Sequence, residues 1–206
     1  MIRLTSGNIN TQEYWNKEFD AEIKIKRERI EMERFQKTAD FIKDGASVLD
    51  LGCGKGEFLQ FLKSKKQNCK LMGIDFSSSA IEYAKNNIID VEFAVADVQN
   101  ISYYKSLLKR FDYVVSFEVM EHLDVPLKFI SEIECVLKDG GWLILSTPYN
   151  NMIGAGAEHI YSFDFFDICS FLKYPKWTLS MLSRYGREFS NMYIQAKLNE
   201  TDNSSI

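Results

Sequence analysis

The stretch VLDLGCGKGEF at residues 48–58 decides the fold of this chain. It begins with a short apolar run and then places Gly52, Gly54 and Gly56 just before a helical pattern. Glycine lets a chain turn sharply after a buried strand, and it lets a ligand approach the backbone without a Cβ in the way. The stretch therefore predicts a strand, a tight turn and a helix, with a nucleotide-like ligand at the turn.

Apolar runs alternate with helical patterns through the residues that follow. The further predicted strands cover residues 71–75, 91–95, 112–117 and 142–147, and the predicted helices cover 57–66, 77–88, 102–109 and 124–137. Near-continuous apolar runs are typical of strands that are buried on both faces. Their alternation with helices predicts right-handed crossovers and a doubly wound parallel sheet.

The C-terminal third predicts a different pairing. We expect a helix from about Ser162 to Lys173, followed by an antiparallel pair formed by residues 177–185 and 189–198. With the five parallel strands, this pair gives an α/β fold with one seven-stranded, mostly parallel, Rossmann-like sheet that ends in an antiparallel hairpin. Residues 199–206 are polar and are expected to form a flexible tail.

The composition indicates one main folded domain. Of the 206 residues, 46% are hydrophobic and three are proline, which excludes low-complexity and wholly disordered classes. The apolar runs are far shorter than the roughly 18 residues of a membrane span, and no basic-then-apolar leader opens the chain. The four cysteines form no CxxC pair, which argues against a disulfide framework and a thiolate zinc site. We expect a cytoplasmic protein with no membrane partner.

The N-terminal stretch is predicted to be a helical lid. Apolar residues such as Phe19 and Ile23 recur at helical spacing among many charges, and the aromatic pair Tyr14-Trp15 precedes them. Either this pair helps to cover a ligand, or it only fastens the helix to the core. The predicted divisions of the chain are a lid at residues 1–36, a ligand-binding domain at 37–198 and the tail at 199–206.

Two acidic residues support a nucleotide-like ligand. Asp75 ends the second predicted strand, where a carboxylate can accept hydrogen bonds from both hydroxyls of a ribose. Asp97 follows the third strand and is placed to meet an adenine amino group. A nicotinamide enzyme would share the first acidic residue, but that class more often has a Gly-x-Gly-x-x-Gly turn and is not expected to have the second.

Four segments, taken in order, resemble the successive motifs of class I S-adenosylmethionine-dependent methyltransferases. They are Asp50 to Gly56, Asp75-Phe76, Asp97-Val98 and SFEVMEHL at 116–123. The resemblance extends from about residue 45 to 150 and implies that the cofactor is S-adenosyl-L-methionine. The cofactor-binding residues that it implies are Tyr14, Asp50, Gly52, Gly54, Asp75, Phe76, Asp97, Val98 and Phe117.

The resemblance also implies a role for each of these residues. Gly52 and Gly54 would let the backbone approach the methionine moiety, and Asp50 would fix the loop and the amino group through water or backbone. The ribose would be held by Asp75, while Phe76, Asp97 and Val98 would contact the adenine. Phe117 would close the pocket at the end of the fourth strand, and Tyr14 would begin the covering helix.

Both histidines of the chain are candidate catalytic residues. His122 follows the fourth predicted strand and His159 lies in the loop after the fifth. Because ligands of open α/β sheets lie beyond the carboxyl ends of the strands, these segments are expected to form the wall that faces the methyl acceptor. His122 is the candidate general base toward a hydroxyl group. The alternative is that both imidazoles only brace the backbone of their loops.

The residues Glu118, Glu121, His122 and His159 also form a candidate divalent metal site. Carboxylates and imidazoles suit Mg²⁺ or Mn²⁺, and a bound cation would lower the pKa of a hydroxyl. The E-x-x-E-H run resembles that of ubiquinone-biosynthesis O-methyltransferases and small-RNA 3′-terminal 2′-O-methyltransferases, whose positions bind a metal. Many small methyltransferases have a similar run without a metal, so the run leaves both mechanisms open.

The predicted function is methyl transfer from S-adenosylmethionine to a small molecule, at a hydroxyl oxygen of a sugar or a biosynthetic metabolite. A metal-dependent RNA 3′-terminal 2′-O-methyltransferase is one alternative, but the net charge of −4 disfavours a nucleic-acid partner. A non-catalytic partner protein that binds S-adenosylmethionine is the other.

Overall fold

One seven-stranded sheet forms the centre of the molecule. The computed structural model describes residues 1–20, 28–149, 158–173, 176–185 and 191–200. The strands of the sheet are β2 (Ser47–Leu51), β3 (Lys70–Asp75), β4 (Glu92–Val95), β5 (Phe111–Phe117), β6 (Leu137–Pro148), β8 (Trp177–Tyr185) and β9 (Asn191–Leu198). Two short strands, β1 (Ile2–Arg3) and β7 (Tyr161–Ser162), pair antiparallel outside it.

The sheet has the order β4-β3-β2-β5-β6-β9-β8. Strands β4, β3, β2, β5 and β6 are parallel, and β9 is antiparallel to both of its neighbours. The predicted fold, a mostly parallel sheet with a C-terminal antiparallel hairpin, is therefore confirmed. Because the parallel strands run in one direction, the turns that follow them meet at one edge of the sheet, where ligands of such folds bind.

Helices cover both faces of the sheet. They are α1 (Gln12–Asp20), α2 (Glu28–Phe41), α3 (Glu57–Lys65), α4 (Ser78–Asn87), α5 (Pro126–Val136) and α6 (Phe165–Phe171). Successive strand residues point to opposite faces, so Leu49 packs in one buried cluster with Phe129 of α5, and Val48 packs in the other with Phe58 of α3. This double burial explains the continuous apolar runs in the sequence.

The predicted helix at 102–109 is wrong. Two short 3₁₀ segments, Val98–Tyr103 and Lys105–Leu107, occupy this stretch. Asn100 has φ −136° and ψ 27°, which interrupts the first segment. The backbone N–H and the hydroxyl of Ser102 donate to the carboxylate of Glu132 on α5, at 2.6 and 3.0 Å. Contacts with α5 thus take the place of a regular helix.

The helix expected from Ser162 begins later, at Phe165. Ser162 belongs to β7 and pairs with Ile2. Asp164 is the N-cap instead, because its carboxylate accepts from the backbone N–H of Asp167 while the Asp167 carboxylate accepts from the backbone N–H of Asp164. This reciprocal capping box is a stronger start signal than a single serine.

The described N-terminal region contains the helical ranges α1, Gln12–Asp20, and α2, Glu28–Phe41. Residues 21–27 between them lie outside the described part of the chain, so the expected amphipathic helix stays a prediction there. Helix α2 thus continues through the predicted lid boundary at residue 36. Ile23 and residues 201–206 of the predicted tail lie outside the described part of the chain. No helix within that part is both long and apolar enough to cross a membrane.

Candidate functional site

The glycine loop after β2 has the left-handed backbone that glycine favours. Gly52, Gly54 and Gly56 have φ values of 75°, 53° and 84°. A Cβ on Gly52 would lie 2.3 Å from Cγ2 of Val119, and a Cβ on Gly54 would lie 3.2 Å from the ring of Phe19. The loop therefore needs glycine both for its conformation and for the close approach of neighbouring side chains.

Asp75 ties this loop to the start of α4. Its Oδ2 accepts from the backbone N–H of Gly54 at 2.8 Å, and its Oδ1 accepts from the backbone N–H of Ser77 at 2.8 Å. Burial raises the pKa of the Asp75 carboxyl, and these hydrogen bonds oppose that shift. The role predicted for Asp75 was ribose binding, so the sequence missed its structural role as a clamp.

Asp50 is a buried carboxyl in β2, one residue before the strand ends. Burial and the nearby charge of Asp75 raise the pKa of Asp50 to about 8, while the Arg34 guanidinium opposes the shift. A carboxyl with this pKa is largely protonated at neutral pH. A cationic group bound beside it would favour the carboxylate form, which is consistent with the predicted role toward an amino group.

A cavity of about 250 Å³ opens at the carboxyl edge of the sheet. It is lined by Asn8, Asn10, Trp15, Phe19, Gly52, Asp75, Phe76, Asp97, Val98, Gln99, Glu118, Val119, His122, Leu123 and Asp124. The cavity therefore brings together most of the residues that the motifs singled out. Among its lining residues, the N-terminal segment supplies the two asparagines and two of the aromatic rings.

Four predicted cofactor residues are not among those that line the cavity: Tyr14, Asp50, Gly54 and Phe117. The backbone N–H of Gly54 donates to Asp75, which does line the cavity. Phe117 packs against Phe58 and Phe35, with ring centroids 5.2 and 6.0 Å apart, and the Arg34 guanidinium lies 4.7 Å above its ring. Tyr14 contacts the edge of Trp15, and Trp15 is the residue of this pair that lines the cavity.

Asp97 caps the 3₁₀ segment that follows β4. Its Oδ1 accepts from the backbone N–H of Gln99 at 2.8 Å, and its Oδ2 accepts from Nδ2 of Asn100 at 2.7 Å. These bonds hold the Asp97 carboxylate on the cavity wall beside Val98, at the end of the strand where an adenine-binding residue was predicted.

His122 lies on the cavity wall with a defined ring orientation. Its ring makes edge-to-face contacts with Trp15 and with His159, with centroid distances of 5.0 and 4.8 Å. Its Nδ1 lies 3.0 Å from the carbonyl oxygen of Glu158. Because a carbonyl only accepts, Nδ1 is assigned as the donor, and Nε2 bears the lone pair of the neutral ring.

Three of the four predicted metal ligands come together. One ligand atom each from Glu121, His122 and His159 lie within 4.8 Å of one another. Oε2 of Glu121 accepts from the hydroxyl of Thr147 at 3.1 Å, and Oε1 lies 3.9 Å from Nε2 of His122. Oε1 is buried and has no hydrogen-bond partner among the described residues. A carboxylate oxygen and two imidazoles are a donor set that fits a divalent cation.

The buried carboxyl of Glu121 also fits a cation electrostatically. Burial, and then the negative charge of Glu118, raise the pKa of Glu121 well above its ordinary value. A cation beside this carboxyl would favour its ionised form. The three residues therefore fit a divalent cation for two reasons: Oε1 of Glu121 has no hydrogen-bond partner among the described residues, and one carboxylate with two imidazoles suits such a cation.

Glu118, the fourth predicted ligand, points into a different network. Its Oε1 accepts from the hydroxyl of Ser146 at 2.6 Å and from Nη1 of Arg34 at 3.2 Å. Its backbone has φ 54°, which is uncommon for a residue other than glycine and is found where surrounding contacts fix it. Glu118 lines the cavity but lies outside the three-residue cluster.

Sequence reasoning missed several residues of the site. Arg34 lies in a charged helical stretch that contains no recognisable motif. Its part in the site is seen only in the structure, where it is 8% exposed and contacts Phe117 and Glu118. Asn10 and Thr147 contact site residues that are distant in the sequence. Asn10 donates to the Glu158 carbonyl, and Thr147 donates to the Glu121 carboxylate. Trp15 was noted as part of an aromatic pair, and its spacing could not indicate a contact with His122.

Known proteins show which family the chain resembles. Residues 23–199 match the family model described as "Methyltransferase domain". A ubiquinone biosynthesis O-methyltransferase of Coxiella burnetii is 31% identical over 124 residues, which cover 57% of this chain and 52% of that protein. The mitochondrial ubiquinone biosynthesis O-methyltransferase of Dictyostelium discoideum is also 31% identical, over 134 residues that cover 57% of this chain and 41% of that protein. The chain thus spans about half or less of the length of these relatives.

The fold has similar solved structures. A SAM-dependent methyltransferase from Aquifex aeolicus superposes with a TM-score of 0.69 at 21% identity, covering 91% of this chain and 98% of that one. This likeness concerns the fold alone, whereas the family match covers most of the sequence. With the glycine loop, the acidic residues after β3 and β4 and the strand order, these findings show that the chain belongs to the methyltransferase domain family, among its class I S-adenosylmethionine-dependent members.

Proposed function

We propose that this chain transfers the methyl group of S-adenosylmethionine to a hydroxyl oxygen of a small molecule. The observation that carries the proposal is the orientation of His122, whose Nδ1 donates to the Glu158 carbonyl while its ring lies on the wall of the cofactor cavity. A neutral imidazole held in this way presents Nε2 as a proton acceptor. The O-methyltransferases among the similar sequences support the choice of oxygen.

The proposed reaction is an in-line displacement at the methyl carbon. The acceptor oxygen forms the new bond to carbon, the carbon–sulfur bond breaks with its electron pair moving to sulfur, and the hydroxyl proton passes to Nε2 of His122. The products are the methyl ether and S-adenosylhomocysteine. The Glu158 carbonyl stabilises the imidazolium through Nδ1, and Trp15 helps to exclude water from the reacting groups.

A metal-assisted variant of this function is favoured by the cluster of Glu121, His122 and His159. These three residues would hold a divalent cation, and the cation would lower the pKa of the acceptor hydroxyl. In this variant Nε2 of His122 would be a ligand of the cation, so the acceptor hydroxyl would lose its proton to solvent water and not to His122. The unpartnered Oε1 of Glu121 supports the variant.

The test is methyl transfer from radiolabelled S-adenosylmethionine to a metabolite extract, with S-adenosylhomocysteine formation as the readout. We expect His122→Ala to lower the rate by about 10²- to 10⁴-fold, as for loss of a general base. The affinity for S-adenosylhomocysteine should change much less. Transfer at the wild-type rate by His122→Ala would contradict the proposal.

A chelator distinguishes the mechanism with His122 as the base from the mechanism with a bound cation. If His122 acts as the base alone, activity persists in EDTA and Glu121→Gln retains it. If a cation is held, EDTA removes activity, Mg²⁺ or Mn²⁺ restores it, and Glu121→Gln lowers it although that substitution preserves the shape of the side chain.

The same assay addresses the other functions. Transfer to the 3′ end of an RNA oligonucleotide, with none to the extract, would show an RNA enzyme. Cofactor binding without any product would show a non-catalytic partner protein. We also propose a cytoplasmic location, since all four cysteines are free thiols; cell fractionation tests it.

We further propose that the N-terminal residues 1–36 act as a lid on the cofactor. Trp15 and Phe19 line the cavity, and α1 is fixed to the start of α4 because Oδ1 of Asn16 accepts from the Ser77 hydroxyl and from the Ser79 backbone N–H. A ring held over the sulfonium would exclude water from it.

A further inference from the structure

The side-chain amide of Asn10 has a fixed orientation. Its Nδ2 donates to Oδ1 of Asn8 at 2.9 Å and to the carbonyl oxygen of Glu158 at 2.8 Å. Oδ1 of Asn8 is itself identified as oxygen, because the backbone N–H of Asn10 donates to it at 2.8 Å. Only a nitrogen can donate to two acceptors, so the Asn10 oxygen must point away from both.

This oxygen is an unsatisfied acceptor beside the cavity. Oδ1 of Asn10 is buried and has no hydrogen-bond partner among the described residues, and Asn10 lines the cavity. A buried polar atom without a partner costs about 1–3 kcal/mol, so such atoms call for an explanation. A donor group on the ligand that fills the cavity provides one.

The position of Asn10 indicates which part of the ligand supplies the donor. Gln12, two residues later, donates from Nε2 to the carbonyl oxygen of Phe76 at 2.8 Å, directly after the strand that ends in Asp75. Each oxygen of Asp75 already accepts a backbone N–H, from Gly54 or from Ser77. A ribose bound at Asp75, as the family resemblance implies, would bring two hydroxyl donors into the cavity, and the Asn10 oxygen offers a further acceptor on the same cavity wall.

We propose that Oδ1 of Asn10 accepts a hydrogen bond from a ribose hydroxyl of S-adenosylmethionine and so shares recognition of the ribose with Asp75. The proposal rests on cofactor binding and is independent of the methyl acceptor. The same amide would then also connect the ribose to the Glu158 carbonyl that orients His122. The Glu158 carbonyl accepts both from Nδ2 of Asn10 and from Nδ1 of His122, so a chain of hydrogen bonds joins the ribose to the residue that orients His122.

The test measures the affinity for S-adenosylhomocysteine and for its 2′-deoxy and 3′-deoxy analogues by titration calorimetry. Asn10→Ala removes the amide, and Asn10→Leu keeps the branched shape of the side chain without a polar atom. Loss of one neutral hydrogen bond should raise the Kd for S-adenosylhomocysteine about 3- to 10-fold in both variants. With the analogue that lacks the bonded hydroxyl, the variants and the wild type should bind alike.

Gln12→Ala is the matched control, because it removes a hydrogen bond of the same segment without changing a residue that lines the cavity. Its effect should be the same for all three ligands. An equal loss of affinity for all three ligands in Asn10→Ala would mean that Asn10 only supports the segment, which overturns the proposal, as would wild-type affinity. Because no acceptor is needed, failure to find a methyl acceptor would leave this test intact.

Discussion

Asp50 places a carboxyl inside the protein at the start of the glycine loop, and burial raises its pKa to about 8. Between the ordinary carboxyl pKa near 4 and this value, the folded state retains a proton that the unfolded state has lost. The contribution of the protonated carboxyl to stability is therefore complete below pH 4 and is lost as the pH rises toward 8. The loss is of the order of 1 kcal/mol per pH unit.

Asp50→Asn should therefore stabilise the ligand-free protein at alkaline pH, because the amide never ionises. We expect the melting temperature of Asp50→Asn to exceed that of the wild type by a margin that grows from pH 5 to pH 8 and then levels off. Calorimetry or dye-based melting across this range measures it. A margin that is constant with pH would show that ionisation of Asp50 is not the cause. The same variant should bind S-adenosylhomocysteine more weakly, since it lacks the charge that favours an amino group.

At the scale of elements, α1 is held against the start of α4 by hydrogen bonds to Asn16, and two of its aromatic residues line the cavity. The double variant Trp15→Ala/Phe19→Ala removes these rings from the cavity wall and leaves the hydrogen bonds of Asn16 in place. We expect the Kd for S-adenosylhomocysteine to rise about 10-fold or more, because burial of aromatic surface on the ligand is lost. The melting temperature of the ligand-free protein should change little.

Lys17→Ala is the control for that experiment. Lys17 lies on the same helix, is largely exposed, and pairs with Glu13 at the surface, so its loss should cost little. If the double variant loses melting temperature but keeps its affinity, α1 fastens the N-terminus to the core and is not a lid.

At the scale of the whole molecule, the sequence predicted what local patterns determine. The run at 48–58 predicted the glycine loop, and the apolar runs predicted the strands of the sheet. The spacing to Asp75 and Asp97 predicted the strand ends that surround the cavity. The 3₁₀ segments after β4 were missed because Ser102 donates two hydrogen bonds to the carboxylate of Glu132, 30 residues away, and no local pattern encodes this contact. Arg34 and Asn10 were missed for the same reason, since each reaches the site by a long-range contact.

These long-range contacts join the N-terminal segment to both sides of the site. β1 pairs with β7, the terminal amine contacts Asp167, and Asn10 donates to Glu158, while α1 is fixed to the start of α4. The segment thus contacts both the start of α4, beside the cavity, and residues 158–167, which include His159. A ligand that contacts this segment should stabilise both of its attachments together.

Hydrogen exchange measures this coupling. On addition of S-adenosylhomocysteine, we expect amides of residues 1–20 and 158–167 to gain protection together with the glycine loop. Exchange in β8, on the far edge of the sheet, should change little, because that strand makes no contact with the N-terminal segment among the pairings described. Protection confined to residues 48–58 and 75–77 would mean that the cofactor binds without the N-terminal segment. In Asn10→Ala the gain at 158–167 should shrink while the gain at the glycine loop persists, since that substitution removes the bond to Glu158 and leaves the Asp75 clamp unchanged.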